Sequence, residues 1–145
     1  MAAPDEVLTS APGTYALGLV TSEAQTLTIG ALGPWHFPAG LYIYVGSAWG
    51  PGGLAARIGR HLHGGNHLHW HIDYLRTASR PVALWLAPGE HLECAWAALL
   101  LKDDAGQVVV PRFGASDCTC AAHLAYLGTA SPETIPLPSG QLHYI

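Results

Sequence analysis

The order of its periodic segments restricts what this chain can fold into more than any other feature of the sequence. Strand-like alternation comes first, and helix-like spacing follows it. The strand-like segments are residues 13–20, 26–32 and 41–45, with a later apolar strand over 81–87. The helix-like segments are residues 54–62, 71–75, 90–102 and 120–127. This order predicts an α+β fold in which a mainly antiparallel sheet of three or slightly more strands is flanked by helices.

The same segments set the expected domain limits. Residues 1–12 are mostly polar or small and predict a loose arm. Residues 13–130 carry all the periodic segments and predict one domain, in which the strand over 26–32 pairs with the first strand and a short strand follows over 107–110. Residues 131–145 contain three prolines and predict an extended tail.

No segment of the sequence predicts export or membrane insertion. No apolar run reaches the ~18 residues that a spanning helix needs, and the first residues lack the basic start and apolar stretch of a secretory signal. Three cysteines, an odd number, argue against a disulfide framework. The expectation is a cytoplasmic protein whose oligomeric state the sequence does not determine.

The charge distribution bears on the class of partner. The net charge of −4 is unfavourable for a protein that binds nucleic acid. However, four of the six lysines and arginines lie between residues 57 and 80, together with five histidines and one acid, Asp73. Residues 57–80 therefore form the one electropositive region, and protonation of the histidines would strengthen it.

The predicted helix over residues 54–62 carries the first candidate site. Arg57 and His61 lie one turn apart on one face of this helix, and Arg60 lies near the same edge. The planar donors of an arginine suit two phosphate oxygens, and a neighbouring histidine can move a proton near neutral pH. The alternative is that the three residues are only the solvated face of an amphipathic helix.

Several motifs in order resemble the GIY-YIG nuclease superfamily. Gly13-Thr14-Tyr15 and Tyr44-Val45-Gly46 resemble its two signature triplets, although Gly40-Leu41-Tyr42 is a competing match to the first. Arg57-x-x-Arg60-His61 resembles its arginine-bearing helix, and Glu93 lies where the superfamily places a metal-binding glutamate. More specifically, residues 40–48, 70–75 and 113–120 resemble a GIY-YIG-related family that is sometimes fused to an endonuclease III-like repair enzyme.

The resemblance implies a divalent-metal-dependent endonuclease that hydrolyses DNA, with single-stranded or damaged DNA in repair as its suggested substrate and DNA a more favoured partner than RNA. Arg57 would clamp the phosphate, Glu93 would hold Mg²⁺ or Mn²⁺, and Tyr15, Tyr44 or His61 would position or deprotonate the attacking water. The expected nucleic-acid contacts are Ser47, Arg60, His69 and His71.

Some of these residues have a second interpretation from the sequence. Glu93 could complement the dipole of a helix N-terminus without binding a metal. Asp73 could orient His71 or lie on a helix surface, and Trp70 is expected in the core. The histidines between residues 61 and 71 could contact phosphates or form an ordinary surface loop.

The motif Cys118-x-Cys120-x-x-His123 is a candidate second metal site or structural site. These residues could bind zinc, with Cys94 or Asp117 as a fourth ligand. The favoured alternative is that the cysteines pack in the interior and Ser116-Asp117 caps a helix. Two other functions therefore stand beside the nuclease: a non-catalytic nucleic-acid-binding module, and a metal- or redox-sensing domain built on the cysteines and His123.

Overall fold

The computed structural model of the chain describes residues 8–63, 68, 70–102, 106–116 and 118–145. Its strands are β1 Gly13–Thr21, β2 Gln25–Thr28, β3 Pro34–Phe37, β4 Gly40–Ser47, β5 Arg80–Pro88, β6 Leu124–Tyr126 and β7 Gln141–Tyr144. Its α-helices are α1 Gly53–His63, α2 His71–Arg76 and α3 Glu93–Leu100. Short 3₁₀ turns cover Gly30–Leu32 and Pro132–Thr134.

The central sheet has five strands in the spatial order β6–β4–β1–β5–β7. Every neighbouring pair is antiparallel, and β1 is the middle strand, paired with β4 on one side and β5 on the other. The predicted α+β fold with an antiparallel sheet flanked by helices is therefore confirmed. Within the described residues the sheet has two strands more than the minimum predicted.

The two faces of the sheet pack against different helices. Because side chains alternate along a strand, Tyr15, Leu17 and Leu19 of β1 face one side while Ala16 faces the other. The first side is covered by Leu54 and Ile58 of α1 and by Ile72 and Leu75 of α2. The second side is covered by Trp96 and Leu100 of α3. Although α1 and α3 lie on opposite faces, side chains from both helices line one cavity at the end of the sheet where β4 ends.

The predicted pairing of the second strand with the first is wrong. Strand β2 pairs with β3 in a separate two-stranded sheet, in which Gln25 lies opposite Phe37. Both edges of β1 are already occupied by β4 and β5, so no edge of β1 is left for β2.

The predicted helix over residues 120–127 is also wrong. Residues 124–126 form the edge strand β6, in which Leu124 lies opposite Tyr44 of β4. The predicted strand over 107–110 is reduced to a single bridge between Gln107 and Tyr126. A short apolar run has no periodicity that separates a helix from a buried strand, and the free edge of β4 determines the outcome.

The last predicted helix and the tail also differ from expectation. Helix α3 is shorter than residues 90–102, and it is buried on one face only, because Trp96 is buried while Leu99 is 38% exposed. Residues 131–145 contain the 3₁₀ turn and strand β7, which pairs with β5, and Trp96 Nε1 donates to the Pro138 carbonyl at 2.9 Å. Among the described residues, no helix has the length and apolar composition that crossing a membrane requires.

Candidate active site

A cavity of about 470 Å³ opens at the end of the sheet where β1 begins and β4 ends. Three elements converge there because Thr14 pairs with Ser47 at this end and α3 starts beside them. The cavity is lined by Tyr44, Gly46, Ser47, Arg57, Trp70, His71, Glu93, Cys94, Gly114, Ser116, Cys118 and His123. Of the site residues predicted from the triplets and helices, Tyr44, Ser47, Arg57, His71 and Glu93 line this cavity.

Arg57 supplies the positive charge of the cavity wall. Its Nη1 donates to the Ser47 carbonyl at 3.1 Å, and its Cζ lies 4.4 Å from the centroid of the Trp70 ring. Among the described residues that line the cavity, Arg57 is the only arginine or lysine. A guanidinium has more N–H donors than Ser47 uses, so Arg57 is held in place and still able to bind an anion.

Glu93, the first residue of α3, supplies the negative charge. Its Oε1 lies 2.8 Å from Nδ1 of His123, and its side chain is 30% exposed. Burial acts to raise the pKa of Glu93, but the neighbouring His123 and Ser47 side chains and the charge of Arg57 outweigh this effect. The pKa of Glu93 therefore lies below its usual value, and the carboxylate is ionised at neutral pH.

Thr14, which the sequence did not indicate as a site residue, holds the segment before Glu93 in place. The buried Thr14 hydroxyl donates to the Glu90 carbonyl at 2.7 Å and accepts from the Leu92 backbone N–H at 2.9 Å. The middle residue of the first triplet thus connects β1 to the start of α3. No sequence signal reveals this role, because the two segments are distant along the chain.

Tyr15 and His61 lie behind the cavity wall. Tyr15 Oη lies 2.6 Å from His61 Nε2, and the two side chains are 0% and 2% exposed. Tyr44, which does line the cavity, has its ring centroid 6.4 Å from that of Tyr15 and 5.9 Å from that of His61. The competing candidate Tyr42 instead donates to the Pro38 carbonyl and contacts the ring of Tyr126. The structure therefore brings the tyrosine of Gly13-Thr14-Tyr15 to Tyr44.

The pKa values of Tyr15, Tyr44 and His61 make all three side chains uncharged at neutral pH. Burial, together with the neighbouring Tyr44, raises the pKa of Tyr15 well above its usual value despite the opposing effect of Arg57. Burial likewise raises the pKa of Tyr44. Burial lowers the pKa of His61 to about 4, so its ring is neutral. Both phenols consequently retain their protons unless a bound cation changes their surroundings.

Arg60 and Asp73 form a structural pair. Two nitrogens of Arg60 donate to the two oxygens of Asp73, each at 2.9 Å, and Asp73 Oδ2 also accepts from the Trp70 backbone N–H at 2.8 Å. This pair connects α1 to α2. The Nδ1 of His71, which the sequence left open as a partner of Asp73, accepts from the Gly114 backbone N–H at 2.8 Å. His69, another predicted contact, lies outside the described residues.

Gly46 is the glycine on which the site geometry depends. A Cβ at this position would lie 2.5 Å from Tyr15 Oη and 2.6 Å from Tyr15 Cζ, and the buried Tyr15 is held by His61. Gly46→Ala is therefore expected to destabilise the protein by about 1–3 kcal/mol through overpacking. Urea denaturation measures the change in the free energy of unfolding.

The control for this prediction is Gly59→Ala. A Cβ at Gly59 meets no atom within 4 Å, and the residue lies inside α1. The added methyl is expected to stabilise the helix by about 0.5–1 kcal/mol, the opposite sign. Equal effects of the two variants would show that Gly46 is not required for the packing of Tyr15.

A cluster of sulfur and nitrogen atoms borders the same cavity. Sγ of Cys118 lies 3.3 Å and Sγ of Cys94 lies 3.9 Å from Nε2 of His123. The ligand atoms of Cys94, Cys118, Cys120 and His123 all lie within 4.8 Å of one another. The structure thus brings Cys94 to the motif that the sequence indicated, whereas Asp117 lies outside the described residues.

Comparison with known proteins places the chain in a family. The model described as "Domain of unknown function DUF123" matches residues 14–137. No curated protein and no solved structure matches the chain. The matched residues include every cavity-lining side chain named above. Because the match covers most of its length, the chain belongs to the DUF123 domain family.

Proposed function

We propose that this protein is a divalent-metal-dependent endonuclease that hydrolyses phosphodiester bonds of DNA. One observation carries the proposal: Tyr44 of β4, Arg57 of α1 and Glu93 of α3 line one cavity although they are distant in sequence. These are three of the positions at which the chain resembles the GIY-YIG nucleases. A cation, a carboxylate and a phenol in one cleft form a set of groups suited to phosphoryl chemistry.

Arg57 is the phosphate clamp of this proposal. Its hydrogen bond to Ser47 and its contact with the Trp70 ring fix the direction of the guanidinium before any substrate arrives. Such preorganisation avoids the cost of ordering a long side chain during the reaction. The guanidinium can then bind two phosphate oxygens and stabilise the negative charge that develops in the transition state.

Glu93 is the metal ligand of this proposal. Its carboxylate is ionised and partly exposed to the cavity, and one of its oxygens lies beside His123. Mg²⁺ and Mn²⁺ bind oxygen ligands and commonly use one or two carboxylates, with waters and substrate phosphate completing the coordination. A metal ion held there would supply charge neutralisation at the phosphate and a more acidic bound water. The ionised carboxylate of Glu93 in the cavity wall is an oxygen ligand of the kind that these ions bind.

Tyr44 orients the attacking water in this proposal. It is partly exposed and lines the cavity, whereas Tyr15 and His61 are buried behind it. Its raised pKa makes it a hydrogen-bonding group rather than a phenolate base. The neutral His61, 2.6 Å from Tyr15 Oη, fixes the ring of Tyr15, against which Tyr44 packs. The buried pair therefore supports the position of Tyr44.

An exposed aromatic pair at the same end of the sheet favours single-stranded substrate. Trp49 is 41% exposed, and its ring is stacked on His91 with centroids 3.8 Å apart. Trp49 follows Ser47 by two residues and His91 precedes Glu93 by two, so both lie next to residues of the cavity wall. Unpaired bases stack on exposed aromatic rings, whereas the bases of a duplex are already stacked.

A second pocket extends the basic surface beyond the cavity. It has a volume of about 190 Å³ and contains Arg57, Arg60 and Trp70 among its lining residues. Both arginines stack on the Trp70 ring, with Arg60 Cζ 4.0 Å and Arg57 Cζ 4.4 Å from its centroid. Because Asp73 pairs with Arg60, Arg57 is the charge that this surface offers to a phosphate, although the whole chain carries a net charge of −4.

The proposal is tested by cleavage of labelled single-stranded and duplex DNA with Mg²⁺ or Mn²⁺. Wild type is expected to cut single-stranded DNA and to lose activity with a chelator. Glu93→Gln is expected to lower the rate roughly 100-fold or more, since the metal contributes several kcal/mol to transition-state stabilisation. Glu90→Gln, which removes a neighbouring exposed carboxylate, should cut like wild type.

Other outcomes distinguish the alternatives. DNA binding without cleavage under all metal conditions would replace the nuclease by a non-catalytic binding module. Cleavage that survives in Glu93→Gln would show that the metal site lies elsewhere. Cleavage of RNA but not DNA would overturn the assigned substrate.

A further inference from the structure

Three cysteines and one histidine form a cluster that the proposed hydrolysis does not use. Cys94 lies in the first turn of α3, whereas Cys118, Cys120 and His123 lie between α3 and β6. Their ligand atoms are all within 4.8 Å of one another. The fold thus joins two segments that the chain separates by more than twenty residues.

The distances suit tetrahedral coordination of zinc. With Zn–S near 2.3 Å and Zn–N near 2.0 Å, neighbouring ligand atoms of a tetrahedral site are about 3.8 Å apart for two sulfurs and about 3.5 Å apart for a sulfur and a nitrogen. The distances from His123 Nε2 to the sulfurs of Cys118 and Cys94, 3.3 and 3.9 Å, lie on either side of the sulfur–nitrogen value. A Zn²⁺ ion would therefore require only small movements of the side chains.

The orientation of His123 provides a second observation. The side chain is 3% exposed, and Nε2 points to the sulfurs. Its Nδ1 lies 2.8 Å from Glu93 Oε1 but is not aligned as a good hydrogen bond. Metal-binding histidines commonly present one nitrogen to the metal and the other N–H to a carboxylate. His123 has both partners in this arrangement, and small rotation of its ring would align the contact with Glu93.

The exposure of the cysteines argues against a role in packing alone. Cys94 is exposed, and Cys118 and Cys120 are half-buried. Cysteines that act as small hydrophobic residues are among the most buried side chains in proteins. A set of partly exposed thiols directed at one point is instead typical of a metal site that holds two segments together.

The backbone around the cysteines is already organised. The guanidinium of Arg112 donates to the carbonyls of Ala115, Cys118 and Cys120. The backbone N–H of His123 donates to the Phe113 carbonyl at 2.7 Å. These bonds fix the described residues of the ligand segment without using any of the thiols, which leaves the thiols free to bind a metal.

From these observations we propose that Cys94, Cys118, Cys120 and His123 bind one Zn²⁺ ion. All four coordination positions are filled by the protein, so this ion is structural and distinct from the metal at Glu93. Thiolate sulfur and imidazole nitrogen select zinc over Mg²⁺, which prefers oxygen. The ion joins residues 118–123 to the start of α3, and through His123 it fixes the carboxylate of Glu93.

The test begins with the full chain purified under reducing conditions, loaded with Zn²⁺ and freed of excess metal. Elemental analysis is expected to give one zinc per chain. Replacement of zinc by Co²⁺ is expected to give the intense visible bands of a tetrahedral ion and a thiolate charge-transfer band. His36→Ala, which removes an exposed histidine on β3, should leave both results unchanged.

Two sets of variants locate the ion. Cys118→Ser and Cys120→Ser are each expected to lose stoichiometric zinc at concentrations that saturate wild type. Glu93→Gln is expected to keep the stoichiometry but to bind zinc roughly 10–100-fold more weakly in competition with a chelating dye. The cobalt spectrum of wild type provides a result that does not depend on whether the serine variants fold.

The proposal is overturned if reduced wild type binds no zinc, if bound cobalt is six-coordinate, or if the Cys118→Ser and Cys120→Ser double variant keeps its zinc. These measurements need no DNA, so they stand apart from the test of hydrolysis. Because Glu93→Gln serves in both tests, its cleavage rate is measured on preparations with full zinc content. A loss of cleavage under that condition reports on hydrolysis alone.

Discussion

Arg57→Ala is expected to lower the rate of single-stranded DNA cleavage by about 10²–10³-fold, the usual effect of removing one preorganised donor that stabilises a transition state. The structure explains this expectation, because Arg57 is the only arginine or lysine among the described residues of the cavity wall. Loss of its contact with Trp70 should cost only about 0.5–1 kcal/mol of stability. Single-turnover cleavage at saturating enzyme separates the chemical step from binding.

Two further variants separate the shape of the guanidinium from its charge. Arg57→Lys keeps the charge but loses the planar donors, and it should restore only a small part of the rate. Arg80→Ala removes one positive charge at the opposite end of the sheet, where Arg80 pairs with Val20, and should cut like wild type. If Arg80→Ala loses as much activity as Arg57→Ala, the effect is general electrostatics and Arg57 is not the clamp.

Elements defined by their own local pattern were predicted well. Residues 41–45 alternate apolar and aromatic side chains and form the interior of β4, and Leu54 and Ile58 repeat at helical spacing and are buried in α1. In β4 the alternation separates two buried faces, since Leu41, Ile43 and Val45 pack on the side of α3 and Tyr42 packs on the side of α1. In α1 the helical spacing marks the one face that packs against the core. The strand over 81–87 is apolar throughout because β5 packs on both sides of the sheet.

Elements that depend on a free strand edge could not be predicted. The sequence of β2 does not specify which strand it pairs with. It pairs with β3 because β4 and β5 occupy both edges of β1. Similarly, residues 124–126 become a strand because β4 has an unoccupied edge, which Leu124 fills opposite Tyr44. Which edges are occupied is a property of the whole sheet, so no window of sequence contains that information.

The same division applies to the candidate site. Helical spacing by itself makes Arg57 a candidate, whereas Tyr44 and Glu93 are candidates through the family resemblance. The pairing of Arg60 with Asp73 was missed, since it depends on how closely α1 and α2 pack. The addition of Cys94 to the cysteine motif depends on where α3 begins relative to β6.

His61→Gln is expected to remove an acid-dependent loss of stability. The side chain of His61 is 2% exposed and its Nε2 lies 2.6 Å from Tyr15 Oη, while the charges of Asp73, Arg57, Arg60 and Arg76 act on its ring. Burial is the largest cause that lowers its pKa to about 4; the arginines lower it further, and Asp73 opposes them. In the unfolded chain the pKa of histidine is about 6.5.

The sign of the effect follows from proton binding. Between pH 6.5 and pH 4 the unfolded chain binds a proton at His61 that the folded protein excludes, so the free energy of unfolding falls as the pH falls. The full difference amounts to about 3 kcal/mol at roughly 1.36 kcal/mol per pH unit. Glutamine cannot take up this proton, so His61→Gln should show a shallower slope across this window, although it should be less stable than wild type at pH 7.

Urea denaturation at several pH values between 4 and 6.5 measures how the free energy of unfolding changes with pH in wild type and in His61→Gln. The difference between the two slopes isolates His61 from the other groups that titrate in this range. His36→Gln, at an exposed position on β3, should keep the wild-type slope. Equal slopes for wild type and His61→Gln would mean that the ring is protonated in the folded state. In that case Nε2 of His61 would carry a proton and would donate to Tyr15 Oη, and the neutral pair proposed to support Tyr44 would have to be abandoned.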